Sequence, residues 1–312
     1  MRRRVILDMD PGIDDALAII LACHSQELEV LGISTVSGNV HVEKCAINAL
    51  RTLEAIGRND IPVYIGQRKP LIRQHESAEE IHGKDGLGDA GIPLPHRKAE
   101  KKRAVEFIID TIMSYPPKEI TLVATGPLTN IALAFLLEPE IASRLQDLII
   151  MGGAYNLTQY GFGNSTPVSE FNIFCDPEAA KIVFQSEATI TAVGLDVTTD
   201  PKAIMNKHIY ESLKKINTKS AEFVVKICKR LIDLFGEMQM HDPMAVAYAI
   251  DRTLFKVIQG EVKVIISDDV TRGQTIIDRR PYPFIQRGKP NANLVYEVDG
   301  KKFLKLFMDH LK

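Results

Sequence analysis

Asp8, Asp10, Asp14 and Asp15 fall within eight residues, in the segment DMDPGIDD, directly after a short apolar run. At ~5 Å and an effective dielectric of about 20, each like-charged pair costs roughly 3 kcal/mol. A helix N-terminus at this point would offset only roughly 0.3 to 1 kcal/mol per carboxylate. A hard cation, Ca²⁺ or Mg²⁺, takes oxygen ligands from carboxylates, backbone carbonyls and water, and would supply the missing charge. Taken singly, each residue has a plainer account: Asp8 as a turn residue, Asp14 and Asp15 as helix-start charges, Pro11-Gly12 as a loop signal. The octad as a unit has none. An EF-hand is excluded, because the glycine falls one place early and Ile19 stands where a bidentate Glu is required.

Two further clusters could do chemistry. In Met240-His241-Asp242-Pro243, Asp242 fits a helix N-cap and Pro243 a first helical residue, which leaves His241 as either a surface residue or an acid for a leaving group. In Glu170-Phe171-Asn172, followed by Cys175-Asp176-Pro177-Glu178, Asp176 reads as a helix cap, whereas Glu170 and Asn172 have no such structural role in the sequence.

Elements must hold these residues together. Short runs of Val, Ile and Leu alternate with stretches of helical period, the pattern of an α/β fold: an open, mostly parallel (mixed) sheet with helices on both faces, Rossmann-like, in one domain spanning 1–312 without repeats. The expected strands are Arg4–Asp8, Val30–Ser37, Ile120–Ala124, Leu148–Met151, Thr189–Leu195 and Val262–Ile266. The expected helices lie near Asp14–His24, Val42–Ile56, Arg103–Ser114, Leu128–Leu137, Pro177–Gln185, Ser220–Phe235 and Pro243–Ala249. GQTIIDRR and ANLVYEV could pair as antiparallel strands near the C-terminus. Stretches 67–102 and 155–170 read as long loops of the kind that cover or line sites.

Ligands of such sheets bind beyond the carboxyl ends of the strands. There the sequence places DMDPGIDD, Ser37-Gly38-Asn39, Thr125-Gly126-Pro127, Gly152-Gly153 and Asp196. The glycines let backbone approach a ligand closely, and the rest supply oxygen or amide groups.

The composition agrees with a small neutral ligand. A net charge of -2 gives no bulk attraction to nucleic acid or anionic membranes. No apolar stretch approaches the roughly 18 residues of a membrane span, and MRRRVILDMD lacks the apolar length and cleavage site of a signal peptide. Four scattered cysteines without a C-x-x-C pair read as reduced, buried thiols of a cytoplasmic protein, with no zinc site.

DMDPGIDD, SGN at 37–39, TGPLTN at 125–130, MGG at 151–153, SEFN at 169–172 with DPEAA after it, and MHDP at 240–243, in unbroken order, resemble the inosine-uridine-preferring nucleoside hydrolase family. The resemblance implies hydrolysis of the N-glycosidic bond of ribonucleosides (uridine, cytidine or inosine) to ribose and free base, and a place in nucleoside salvage. It implies a Ca²⁺ held by Asp10, Asp15, Asp242 and the Thr125 carbonyl, with the ribose hydroxyls and a water completing the shell. It also implies Asp14, Asn39 and Asn172 on the 2′/3′ side of the ribose, Asn164 and Glu170 on the 5′-hydroxyl, Met151 beneath the sugar, and Phe171 beside them. Asp8 supports the loop and the ligands from behind. The absence of Trp matches the histidine-bearing branch of the family, and the Tyr155–Thr166 loop is longer than in many members. A homo-oligomer, dimer or tetramer, is expected.

The chemistry is consistent with that assignment. Breaking an N-glycosidic bond builds positive charge on the ribose, which surrounding carboxylates stabilise. Ca²⁺ acidifies a water far less than Zn²⁺, so a carboxylate must take the proton. Asp10 is the choice for that base, and His241 for assisting the departing base, with His82 the next candidate. An apolar strand followed by D-x-D also opens phosphatases of the haloacid dehalogenase type, with Asp8 as nucleophile and Ser267-Asp268-Asp269 as a metal-binding pair. Gly12, where those enzymes usually have Thr or Val, and the unexplained remaining motifs argue against it.

Overall fold

The computed structural model describes residues 2–267, 269–281, 284 and 288–312. Along the chain run β1 (Arg3–Met9), α1 (Ile13–His24), β2 (Leu28–Thr35), α2 (Val42–Ala55), β3 (Val63–Ile65), α3 (Glu79–His82), α4 (Ala104–Ser114) and β4 (Ile120–Ala124). Then follow α5 (Thr129–Leu137), α6 (Glu140–Arg144), β5 (Asp147–Met151), α7 (Phe171–Cys175), α8 (Pro177–Phe184), β6 (Ile190–Val193), α9 (Leu195–Thr198), β7 (Met205–Asn206) and α10 (Lys207–Leu213). The last third holds α11 (Lys219–Phe235), β8 (Glu237–Met238), α12 (His241–Ile250), β9 (Phe255–Gly260), β10 (Val262–Val264), β11 (Thr275–Ile277), β12 (Ala292–Val298) and α13 (Gly300–Asp309).

Eight strands form one sheet in the order β3-β2-β1-β4-β5-β6-β12-β9, and every pairing is parallel except β12 with β9. The strands read as continuous apolar runs because both faces are covered. In β1, Val5, Leu7 and Met9 face a core shared with α1, α11 and α12, while Ile6 faces a second core with α4, α5 and α8. The expected mixed α/β sheet with helices on both faces is what forms.

Several expectations are corrected. ANLVYEV does not pair with GQTIIDRR. It enters the central sheet between β6 and β9, and Thr275–Ile277 pairs instead with Val262–Val264. The strand expected at Val262–Ile266 therefore lies outside the central sheet. β3, with three residues, and β9, whose Lys256 to Gln259 are exposed at the sheet edge, carry too little apolar pattern to be read locally. The helix expected at Pro243 begins two residues earlier, at His241. None of the described helices is long and apolar enough to cross a membrane.

Strand β1 sits between β2 and β4, so successive connections leave it in opposite directions along the sheet. The crevice beyond its carboxyl end is the topological switch point where open α/β sheets bind ligands.

Candidate active site

The octad lies at this crevice. Asp8 ends the apolar part of β1, and its carbonyl accepts from the Thr125 N–H at 2.8 Å, which draws the exit of β4 against that of β1. The Asp8 carboxylate is fully buried. Its Oδ1 accepts from Ser34 Oγ at 2.5 Å and Asn130 Nδ2 at 2.8 Å, while Oδ2 has no partner. Burial pushes this carboxyl from 3.8 up to about 7, against the pull of those two hydrogen bonds. Asp268 of the phosphatase alternative lies outside the described residues.

Asp10 is also fully buried. Its Oδ2 accepts from the Asn39 N–H at 2.7 Å, and its Oδ1 has no hydrogen-bond partner. Gly38 and Gly126 explain themselves here. A Cβ on Gly38 would lie 2.0 Å from Asp10 Oδ2, and one on Gly126 2.8 Å from Oδ1. The close approach that these two glycines allow is that of the Asp10 side chain.

Asp14 and Asp15 follow in the first turn of α1. Asp15 Oδ2 accepts from the Gly12 N–H at 3.0 Å and Asn39 Nδ2 at 3.1 Å, and Oδ1 from Thr125 Oγ1 at 2.9 Å. From α12 comes Asp242, which caps nothing: it lies inside the first turn, and the end of that helix has no side-chain cap. Capping therefore does not account for Asp242. Asp14, Asp15 and Asp242 bring ligand oxygens within 4.8 Å of one another, all buried. Burial and mutual repulsion raise the whole knot. Asp14 goes to about 7, mainly by burial and then by Asp15, and Asp10 and Asp242 go well above the ordinary carboxylate value. The bare Asp10 oxygen and this crowding fit a cation, and the donor set is entirely oxygen.

On the far side, Asn172 Nδ2 donates to the Thr125 carbonyl at 2.8 Å and the Met151 carbonyl at 3.1 Å, tying α7 to the ends of β4 and β5. Glu170 has a structural role that its sequence context concealed. It is the N-cap of α7, with Oε1 accepting from the Asn172 N–H and Oε2 from those of Ile173 and Gly153. Asn164 Oδ1 accepts from the Phe171 N–H at 2.9 Å, so Asn164, Glu170 and Phe171 meet at one helix start.

Both histidines reach this end of the sheet. His82 is buried, and its Nδ1 accepts from the Ile13 N–H at 3.1 Å, which leaves its proton on Nε2. Burial, then His241, lowers it to about 4. His241, half-buried at the start of α12, has Nδ1 2.8 Å from Thr198 Oγ1, and burial lowers it to about 4 as well. Two hollows of about 500 and 670 Å³, beside His24 and beside Glu261, share no residue with this cluster. Ser34, Asn130 and Thr198 were missed in the sequence; only Asn130, inside TGPLTN, stood in a marked motif.

Residues 5–305 match the family described as inosine-uridine preferring nucleoside hydrolase. The chain is 40% identical to the inosine-uridine preferring nucleoside hydrolase of Leishmania major, over 100% of this chain and 98% of that protein. It is 38% identical to the pyrimidine-specific ribonucleoside hydrolase RihA of Salmonella arizonae, over 99% and 98%. Among solved structures it superposes on an inosine-guanosine nucleoside hydrolase with a TM-score of 0.91 at 33% identity, covering 100% of this chain and 99% of that one.

Proposed function

From the premise that this chain belongs to the inosine-uridine preferring nucleoside hydrolase family, and so is a ribonucleoside hydrolase, we propose that it cleaves uridine, cytidine and inosine to ribose and free base with Asp10 as general base. The observation that carries this is the buried, unpartnered Asp10 Oδ1 beside three more carboxylates at the switch point of the sheet. The relatives are named for inosine, uridine and pyrimidines alike, which supports a broad base range.

Asp10, Asp15, Asp242 and the Thr125 carbonyl would hold a Ca²⁺. When bound, the ion would supply charge compensation for the knot and modest acidification of a water. Asp10 accepts a proton from the attacking water. Asn39 fixes the other Asp10 oxygen and so aims it. Asp14, Asn39 and Asn172 read the 2′ and 3′ hydroxyls. Asn164 and Glu170 read the 5′ side, with Phe171 beside them and Met151 beneath the sugar. As the bond breaks, the carboxylates stabilise the positive ribose. His241 starts neutral and donates its hydrogen to the base as negative charge develops there, with the Nε2 hydrogen of His82 the alternative donor.

We further propose one domain over 1–312, supported by β1 and β12 sharing a sheet, and a cytoplasmic setting, supported by four buried free thiols. A dimer or tetramer is supported by the exposed Leu136, Leu137, Leu234 and Phe235. The direct test is base release from uridine, cytidine and inosine, with p-nitrophenyl phosphate as control. Release of nitrophenolate without any base release would refute the proposal.

A further inference from the structure

Asp196 stands just beyond the carboxyl end of β6, on the single turn of α9, and is 1% exposed. Nothing in the site uses it, yet its polar atoms are committed to one loop. Oδ2 accepts from the Tyr155 N–H at 2.8 Å, Oδ1 from the N–H groups of Leu157 at 2.5 Å and Thr158 at 3.2 Å, and its carbonyl from the Thr158 hydroxyl at 2.7 Å. Gly161 closes over it so tightly that a Cβ there would lie 2.0 Å from Asp196 Oδ1. The Thr199 hydroxyl, one residue past α9, adds a bond to the Tyr160 carbonyl at 3.1 Å.

The loop so fastened is the one that continues to Asn164. Past Gly161, the Asn164 and Ser165 N–H groups donate to the Ser169 carbonyl, and Asn164 Oδ1 takes the Phe171 N–H. At the start of this path Tyr155 is buried in the core with Leu157 packed against it, whereas Asn156, Gln159, Phe162, Asn164 and Ser165 are exposed. Charge-assisted bonds from three backbone amides to one buried carboxylate fasten its backbone.

We propose that Asp196 is a positioning residue for recognition of the 5′ side of the sugar: it clamps residues 155–161 so that Asn164 and Glu170 present a fixed geometry to the 5′-hydroxyl. This rests on the assignment above of Asn164 and Glu170 to that hydroxyl. Asp196 touches no reacting atom and acts only through the loop. An asparagine fills the same volume, but whichever way its amide turns, its NH₂ faces a backbone N–H, so the clamp must loosen.

The experiment compares uridine with 5′-deoxyuridine as substrates of the wild type, Asp196→Asn, Gly161→Ala and Asn164→Ala. Asp196→Asn should lose roughly 10- to 100-fold in kcat/KM on uridine, the scale of a buried unmatched donor. The loss should sit in KM, with little change on 5′-deoxyuridine, so that the preference for the 5′-hydroxyl collapses. Gly161→Ala, which leaves the carboxylate intact and forces the loop off it, should give the same signature. Hydrogen exchange at the Tyr155, Leu157 and Thr158 amides should quicken in both variants while the β1 amides stay protected. Equal losses on the two substrates, or unchanged exchange at those three amides, would overturn the proposal. Should Asn164→Ala abolish the preference while Asp196→Asn preserves it, the 5′ assignment stands and the clamp fails. A wild type that never distinguishes the two substrates would defeat both.

Discussion

Stripping the cation should leave a protein that loses stability as pH rises, and restoring it should open a gap that widens with pH. Asp8 and Asp14 are each raised from 3.8 to about 7, chiefly by burial. A carboxyl whose folded pKa lies above its unfolded value binds its proton more tightly when folded. Its contribution is complete below the unfolded value near 4 and is lost as pH climbs through about 7. Between pH 5 and pH 8, Asp8 accounts for about 3 kcal/mol, and the coupled carboxylates around Asp14 lose stability in the same direction. With an unfolding entropy of roughly 2 cal/mol/K per residue, the Asp8 loss lowers Tm by about 4 °C in a chain of this length. A cation at a thousand times its Kd returns about 4 kcal/mol, or about 6 °C. Protons compete with it for Asp10, Asp15 and Asp242, so its effect is small at pH 5 and full at pH 8. Calorimetry in a calcium chelator and in excess CaCl₂ at pH 5, 6, 7 and 8 reads both curves. Their difference isolates the knot, because titrations far from it cancel. A chelated Tm that rises with pH, or a gap equal at pH 5 and pH 8, would refute the argument, since the carboxylates would then be ionising freely without a cation.

Three further outcomes are expected. Asp10→Asn should lower kcat by at least roughly 10³-fold and release the metal, whereas Asp14→Asn should keep the metal and lose ribose binding; elemental analysis of both proteins separates ligand from sugar contact. His241→Ala should slow uridine by roughly 10²- to 10⁴-fold but spare p-nitrophenyl riboside, whose leaving group departs without a proton, and equal losses on the two substrates would reassign His241 to structure. For 2′-deoxyuridine, kcat/KM should fall roughly 10⁴-fold below uridine, because Asp14 and Asn172 would lose their partner; comparable values would show that the site does not read the 2′-hydroxyl.

What could be read in the sequence was whatever a short window expresses. The apolar runs of β1, β4 and β5, the helical period of α1, α2 and α11, and the crowding of Asp8, Asp10, Asp14 and Asp15 are all local, and so was the order of motifs that carried the family resemblance. Tertiary structure alone decided which groups those residues meet. Asn130 reaches Asp8 across 122 positions, Thr125 reaches Asp15 across 110, His82 reaches Ile13 across 69, and Asp196 reaches Tyr155 across 41. The same is true of β12 choosing β6 and β9 over β11, of Gly38 and Gly126 yielding space to Asp10, and of Glu170 capping a helix of five residues. Periodicity records which face of an element is apolar, because burial acts on every turn or alternate residue. A hydrogen bond between distant residues leaves no period, so it exists only once the sheet has brought the strand ends together.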